Sequence, residues 1–176
     1  MTPTRASLGP LEPTAGGWAV GDTGRPAGHW LEFRPEGLHQ HEPGGPGQTV
    51  DWSRIMPGVR LTLGGKNPAR GQYGVAQLLA GLPGPWRRHG SGYLHLTLRH
   101  PYEDWVGRFS RHPRPYPGAD LVLFQELTER VTDTGQAHLL GDPEWLGRVV
   151  ARLAGLSLRG RHAAQDAVTR ALEPEK

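Results

Sequence analysis

The residues with chemical capacity gather in one stretch, Gly92 to Asp120, which reads GYLHLTLRHPYEDWVGRFSRHPRPYPGAD. It holds His95, His100 and His112, the adjacent acids Glu103 and Asp104, and the arginines Arg99, Arg108, Arg111 and Arg114. Imidazole nitrogens and carboxylate oxygens are ligands for a zinc-type centre. A centre built on His95, His100, His112 and Glu103 would support metal-assisted hydrolysis. The spacings argue against it, because no two of these histidines stand two apart, as a strand requires, or four apart, as a helix requires. His39 and His41 do have strand spacing and would point the same way, but no third ligand accompanies them. Surface and capping roles account for these histidines. Glu103 and Asp104, placed on a helix, diverge by about 100° and do not form an acid–base pair. At a helix N-terminus they favour the dipole, and Asp104 stands four residues before Arg108. No Gly-x-Ser-x-Gly elbow occurs, and Ser91 and Ser110 have no evident partners. The loop at Gly64–Pro68 lacks the spaced Gly-Lys-Ser/Thr of a phosphate-binding loop. With no cysteine in the chain, disulfides, thiolate metal centres and a cysteine nucleophile are excluded. The expectation is a protein with no catalytic residue, no metal and no cofactor.

Charge points to binding instead. Residues 52–118 carry ten basic and two acidic side chains, whereas residues 1–51 carry three and six, and residues 119–176 seven and nine. A basic middle between acidic ends attracts an acidic protein or another anion. Trp86, Arg87, Arg88, Arg99, Tyr102, Arg108, Arg111 and Arg114 are the candidate contacts, since tryptophan, tyrosine and arginine dominate interface energetics. The first expectation is a non-catalytic module for a protein partner, regulatory or immunity-like. The alternative is an anionic ligand, a phosphate head group or nucleic acid, held by the basic segment. No helix-turn-helix or RRM signature accompanies it.

These side chains need elements to hold them. Tyr93 to Leu98 alternates, with Leu94, Leu96 and Leu98 on one face and Tyr93, His95 and Thr97 on the other, which is strand periodicity. After Pro101, the spacing of Tyr102, Trp105, Val106 and Phe109 suits either a helical turn and a half or a bent strand, and proline in the first turn favours a short helix from Tyr102. Upstream, Trp18–Val20, His29–Phe33, Leu38–Glu42 and Gln48–Ile55 read as strands joined by Gly/Pro turns, with Pro35-Glu36-Gly37 the best defined. Val59–Leu63 reads as a further strand and Tyr73–Leu82 as a short helix. Downstream, Asp120 would cap a helix through Val131 that stops at Gly135. Asp142-Pro143-Glu144 starts a second helix, and Ala163–Leu172 forms a third. The fold class expected is α+β, an antiparallel meander or partial barrel followed by two or three C-terminal helices. The division is a flexible arm at 1–16, a sheet domain at 17–112 and a helical cap at 119–172.

The run W-L-x-F-x-P-E-G-L, a loop, then T-V-D-W-S-R-I with Trp52 and Ile55 resembles bacterial PH-like domains over residues 18–63. That resemblance implies a bent antiparallel barrel closed by a C-terminal helix, and binding of head groups, peptides or proteins without catalysis. Only two lysines stand beside eighteen arginines, a bias similar to that of GC-rich actinobacterial genomes. No apolar run resembles a signal peptide or a membrane span, so a cytoplasmic location is expected.

Overall fold

Among the described residues, two antiparallel sheets are followed by three helices, an α+β architecture. The computed structural model describes residues 6–64 and 90–174. The first sheet is a five-stranded meander in sequence order: β1 (Leu11–Pro13), β2 (Trp18–Val20), β3 (Trp30–Phe33), β4 (Gly37–His41) and β5 (Gln48–Asp51). Leu31, Phe33, Leu38 and Val50 turn inward, and Trp30, Glu32, His41 and Thr49 turn outward. Pro35-Glu36 closes the β3–β4 hairpin, where Arg34 and Gly37 exchange both main-chain bonds at 3.0 and 3.2 Å. Gly37 has a reason to be glycine, because a Cβ there would collide with the Val50 carbonyl.

Two expectations fail in this half. The chain before Gly17 is not a loose arm from Ala6 onward. Leu8 and Leu11 are fully buried, and β1 pairs with β2. Two leucines in the core outweigh the disorder that the surrounding glycines and prolines suggest. The strand expected over Gln48–Ile55 ends at Asp51, whose carboxylate accepts the Ser53 N–H at 2.8 Å and caps a 3-10 turn over Trp52–Arg54. That turn carries Trp52 inward, where its indole N–H donates to the Arg34 carbonyl at 2.7 Å and its ring meets Phe33 edge-on.

The second sheet has the order β6 (Arg60–Leu63), β7 (Ser91–Leu98) and β8 (Glu103–Ser110). The helix expected from Tyr102 is therefore strand β8. Trp105 and Phe109 stand four apart, which suits a helix turn, but four is also two strand repeats. Gly107 between them is buried against Leu31, so period two prevails. Opposite Phe109 sits Gly92, where a Cβ would overlap the phenyl ring. Glu103 and Asp104 consequently point to opposite faces of a strand and serve no helix dipole.

α1 (Gly118–Asp133) begins at Pro117 without a side-chain cap, and Asp120 accepts the Gly9 N–H at 3.2 Å instead. It ends in a Schellman motif, with Gln136 N–H to Val131 O, Gly135 N–H to Thr132 O, and Gly135 at φ 71°. α2 (Pro143–Leu153) starts as its sequence implies, with Asp142 accepting from the Glu144 and Trp145 amides at 3.0 Å each. α3 (Arg161–Leu172) completes the set. Leu146, Val149, Val150 and Leu153 of α2 and Leu121, Phe124 and Leu127 of α1 join the buried strand residues in one apolar cluster. The helix expected over Tyr73–Leu82 lies outside the described residues.

Two buried glutamines seal the sheets to their surroundings. Gln125 of α1 lies along the β6 edge, where its Oε1 accepts the Leu61 N–H at 2.6 Å and its Nε2 donates to the Val59 carbonyl. Gln40 of β4 does the same for β8, accepting from Arg108 N–H at 2.8 Å and donating to Arg108 O at 2.9 Å. A side-chain amide offers the same donor and acceptor as a peptide group, so each glutamine substitutes for a neighbouring strand.

Candidate partner-binding face

Six arginines of the basic middle segment lie among the described residues, and their contacts divide them. Arg54 donates to the Arg99 and Pro101 carbonyls and pairs with Glu103 at 2.7 Å, closing the β7–β8 hairpin. Arg99 donates to the Ser53 carbonyl at 2.9 Å. Arg111 is buried beside Tyr116, and burial pulls its guanidinium below its ordinary pKa. Arg114 stacks over the same ring at 5.2 Å and reaches the Gly9 carbonyl at 3.2 Å and Glu12 at 3.8 Å. These four hold the fold together. The other two do not: the Arg108 side chain touches only the Ser91 hydroxyl, at 3.1 Å through Nε, and the Arg60 side chain has no hydrogen bond or ion pair among the described residues.

Arg60 and Arg108 project from one surface, the outward face of the second sheet, because β6 pairs Arg60 with His95 and β8 pairs Arg108 with Tyr93. The two arginines therefore stand diagonally across β7, roughly 12 Å apart along the backbone from strand and residue spacings. Between them the half-exposed rings of Tyr93 and His95 lie 6.5 Å apart. Thr62 holds the His95 ring through Nε2 at 3.0 Å. Burial, reinforced by the Arg60 charge, lowers the His95 pKa and keeps the ring neutral. Val106, opposite His95, is 40% exposed, and Tyr102 at the hairpin loop is 73% exposed. Asp104 lies at the far end of the face, beside the Thr97 hydroxyl. The surface offers a cationic pair, two aromatic planes and two exposed apolar groups, with one acid at its end.

The candidates named from the sequence distribute unevenly. Arg108 and Tyr102 fall on or beside this face, and Arg99, Arg111 and Arg114 are in internal contacts. Trp86, Arg87 and Arg88 lie outside the described residues. Arg60, Tyr93, His95 and Val106 join the set. Their signal was the clean alternation of Tyr93 to Leu98, which puts Tyr93 and His95 on one outward row.

Two other polar clusters are structural. On the outer face of the first sheet, His41 stacks on Trp30 at 4.5 Å, and Glu32 accepts from His41 at 2.8 Å and Arg34 at 2.7 Å. Burial pushes the Glu32 carboxyl up, but those two hydrogen bonds outweigh it and leave the pKa lowered. His39 bonds Thr49 at 2.7 Å, and burial with the Arg34 charge lowers its pKa. At the seam before α1, Glu12 lies 2.9 Å from His112 Nε2, and the Tyr116 hydroxyl accepts the His112 N–H at 2.9 Å and contacts Nδ1 at 2.8 Å. His112 and Tyr116 are both buried, so this chain ties β1 to the α1 approach and presents nothing to a substrate. His95, His100 and His112 do not converge, and among the described residues no three histidine or acidic side chains are placed to hold a metal. Among the described residues no helix is long and apolar enough to cross a membrane. Comparison with known proteins gives no matching family model and no significant match to a curated protein or a solved structure.

Proposed function

We propose that the protein is a non-catalytic binding module for a protein partner, regulatory or immunity-like, and that it docks through the outward face of β6, β7 and β8. One observation carries this reading. Arg60 and Arg108 have no carboxylate partner among the described residues, and they flank the half-exposed Tyr93 and His95 next to exposed Val106. Tyrosine and arginine around a small apolar centre are the composition of interface hot spots. The PH-like likeness belongs to the same proposal and is supported by the antiparallel meander and the helices that follow it.

A photo-crosslinking side chain at position 102 or 106, in cells that make the protein, tests the reading. One dominant protein adduct is expected from these positions and none from position 36, an exposed turn on the other sheet. Equal labelling from both sheets, or no protein adduct, sinks it. Retention on a heparin resin that collapses with modest salt would move the assignment to an anionic ligand held by the basic segment.

A further inference from the structure

The edge of β8 is closed along only part of its length. β8 bonds to β7 through its odd-numbered residues, since the Arg111 N–H continues that side to the Gly90 carbonyl. Its even-numbered residues point away. There Gln40 closes the rung at Arg108. At Ser110, the N–H donates to the His29 carbonyl and the carbonyl accepts from Asp22 N–H. Asp104 and Val106 continue the same outward row, and neither main chain has a partner on that side among the described residues. Both residues are exposed. Trp105, between them, faces inward, and its indole N–H reaches across to Gln48 Oε1 at 3.1 Å.

We propose that the partner enters as an extended segment that adds to β8 at Asp104 and Val106, with a carboxylate on its outward side reaching Arg108. This rests on the protein-docking reading above. Two open rungs supply up to four main-chain hydrogen bonds, the source of affinity in strand addition, and alternate side chains supply specificity. An added strand lies about 4.8 Å from β8, which puts its outward side chains within reach of the Arg108 guanidinium. Charge complementarity selects an acid at that end, and Asp104 excludes one beside itself. Inward side chains of the segment meet Trp105 and Gln48, which suits an apolar residue. Gln40 fixes where the segment stops, because it occupies the next rung.

The test uses the full chain and a blocked octapeptide of alternating valine and threonine in which one threonine, the outward residue nearest Arg108, is glutamate, with lysine at the same place in its counterpart. Fluorescence anisotropy follows binding. Val106→Pro removes the outward N–H and leaves the β7 pairing intact, a substitution edge strands tolerate. Val106→Thr keeps the N–H. The glutamate peptide should bind the parent protein, weaken about tenfold with Val106→Pro and change little with Val106→Thr. Arg108→Ala should weaken it and flatten its salt dependence, and the lysine peptide should not bind. On the parent protein, peptide should slow amide exchange at Asp104 and Val106, a readout that survives if Val106→Pro fails to fold. Absent binding, equal binding to Val106→Pro, or unchanged exchange at those amides overturns strand addition. If the crosslinked partner is still captured after any of these outcomes, the docking face stands and only its mode falls.

Discussion

Gln40 and Gln125 show how much a single buried side chain can decide. Each satisfies two main-chain groups that would otherwise be sealed from water. Replacing Gln125 by leucine keeps the volume and orphans the Leu61 N–H and the Val59 carbonyl. At about 1–3 kcal/mol for each of the two unsatisfied buried groups, the loss should be roughly 2–6 kcal/mol. Urea unfolding checks this as a fall in midpoint at unchanged slope, whereas Gln136→Leu, on an exposed loop, should move little. Neither glutamine was legible in the sequence. Gln40 sits between two histidines in what reads as a polar row, and Gln125 looks like a solvent residue on a helix; only the tertiary edge beside each reveals its task. The histidines carry a second consequence. Burial lowers the pKa values of His29, His39 and His95, so they stay neutral when folded and protonate around 6.5 when unfolded. The unfolded chain then binds more protons, and stability fully present above that value is lost as pH falls towards the folded pKa values. The thermal midpoint should drop between pH 7 and pH 5.5, and His95→Gln should make that drop shallower. An equal or steeper slope in the variant would remove His95 from the cause.

At the scale of elements, the helices were readable and β8 was not. α2 announced itself through Asp142 and Pro143, because a cap and a fixed φ act locally and leave a local trace. Asp142→Ala should cost about 1 kcal/mol, with the loss concentrated in the helical signal of α2, measured as faster amide exchange in its first turn. β8 left an ambiguous trace, since Trp105 and Phe109 satisfy both periods. Its state is settled by partners distant in sequence: Leu31 against Gly107, Gly92 under Phe109, and Arg54 across the hairpin mouth. The same distance in sequence explains the misplaced Asp120, whose cap role is displaced by Gly9. Gly92→Ala tests the strand assignment. A methyl there has no room against Phe109, so the variant should be destabilised by about 1–3 kcal/mol, the range for overpacking. In a helical β8, position 92 would tolerate alanine.

For the whole molecule, the α+β class followed from composition and periodicity, but the division of labour among the arginines did not. Net charge by segment marked residues 52–118 as basic and could not say which charges the fold had already neutralised. The structure separates them by their contacts. Arg54, Arg99, Arg111 and Arg114 tie loops, rings and the first strand together, so they carry positive charge without offering it. Arg60 and Arg108 offer theirs on one face. The two groups should therefore respond differently to substitution. Arg60→Glu with Arg108→Glu replaces two exposed surface charges and should leave the unfolding midpoint close to that of the parent, since only the exposed Arg108–Ser91 hydrogen bond is lost. Arg114→Ala removes ties to Gly9 and Glu12 and frees the Tyr116 ring, so it should lower the midpoint. In the crosslinking experiment the order reverses. The double reversal should abolish the adduct from position 106, and Arg114→Ala, at a temperature where it remains folded, should retain it. An adduct that survives the double reversal would show that the face binds through its aromatic and apolar groups alone.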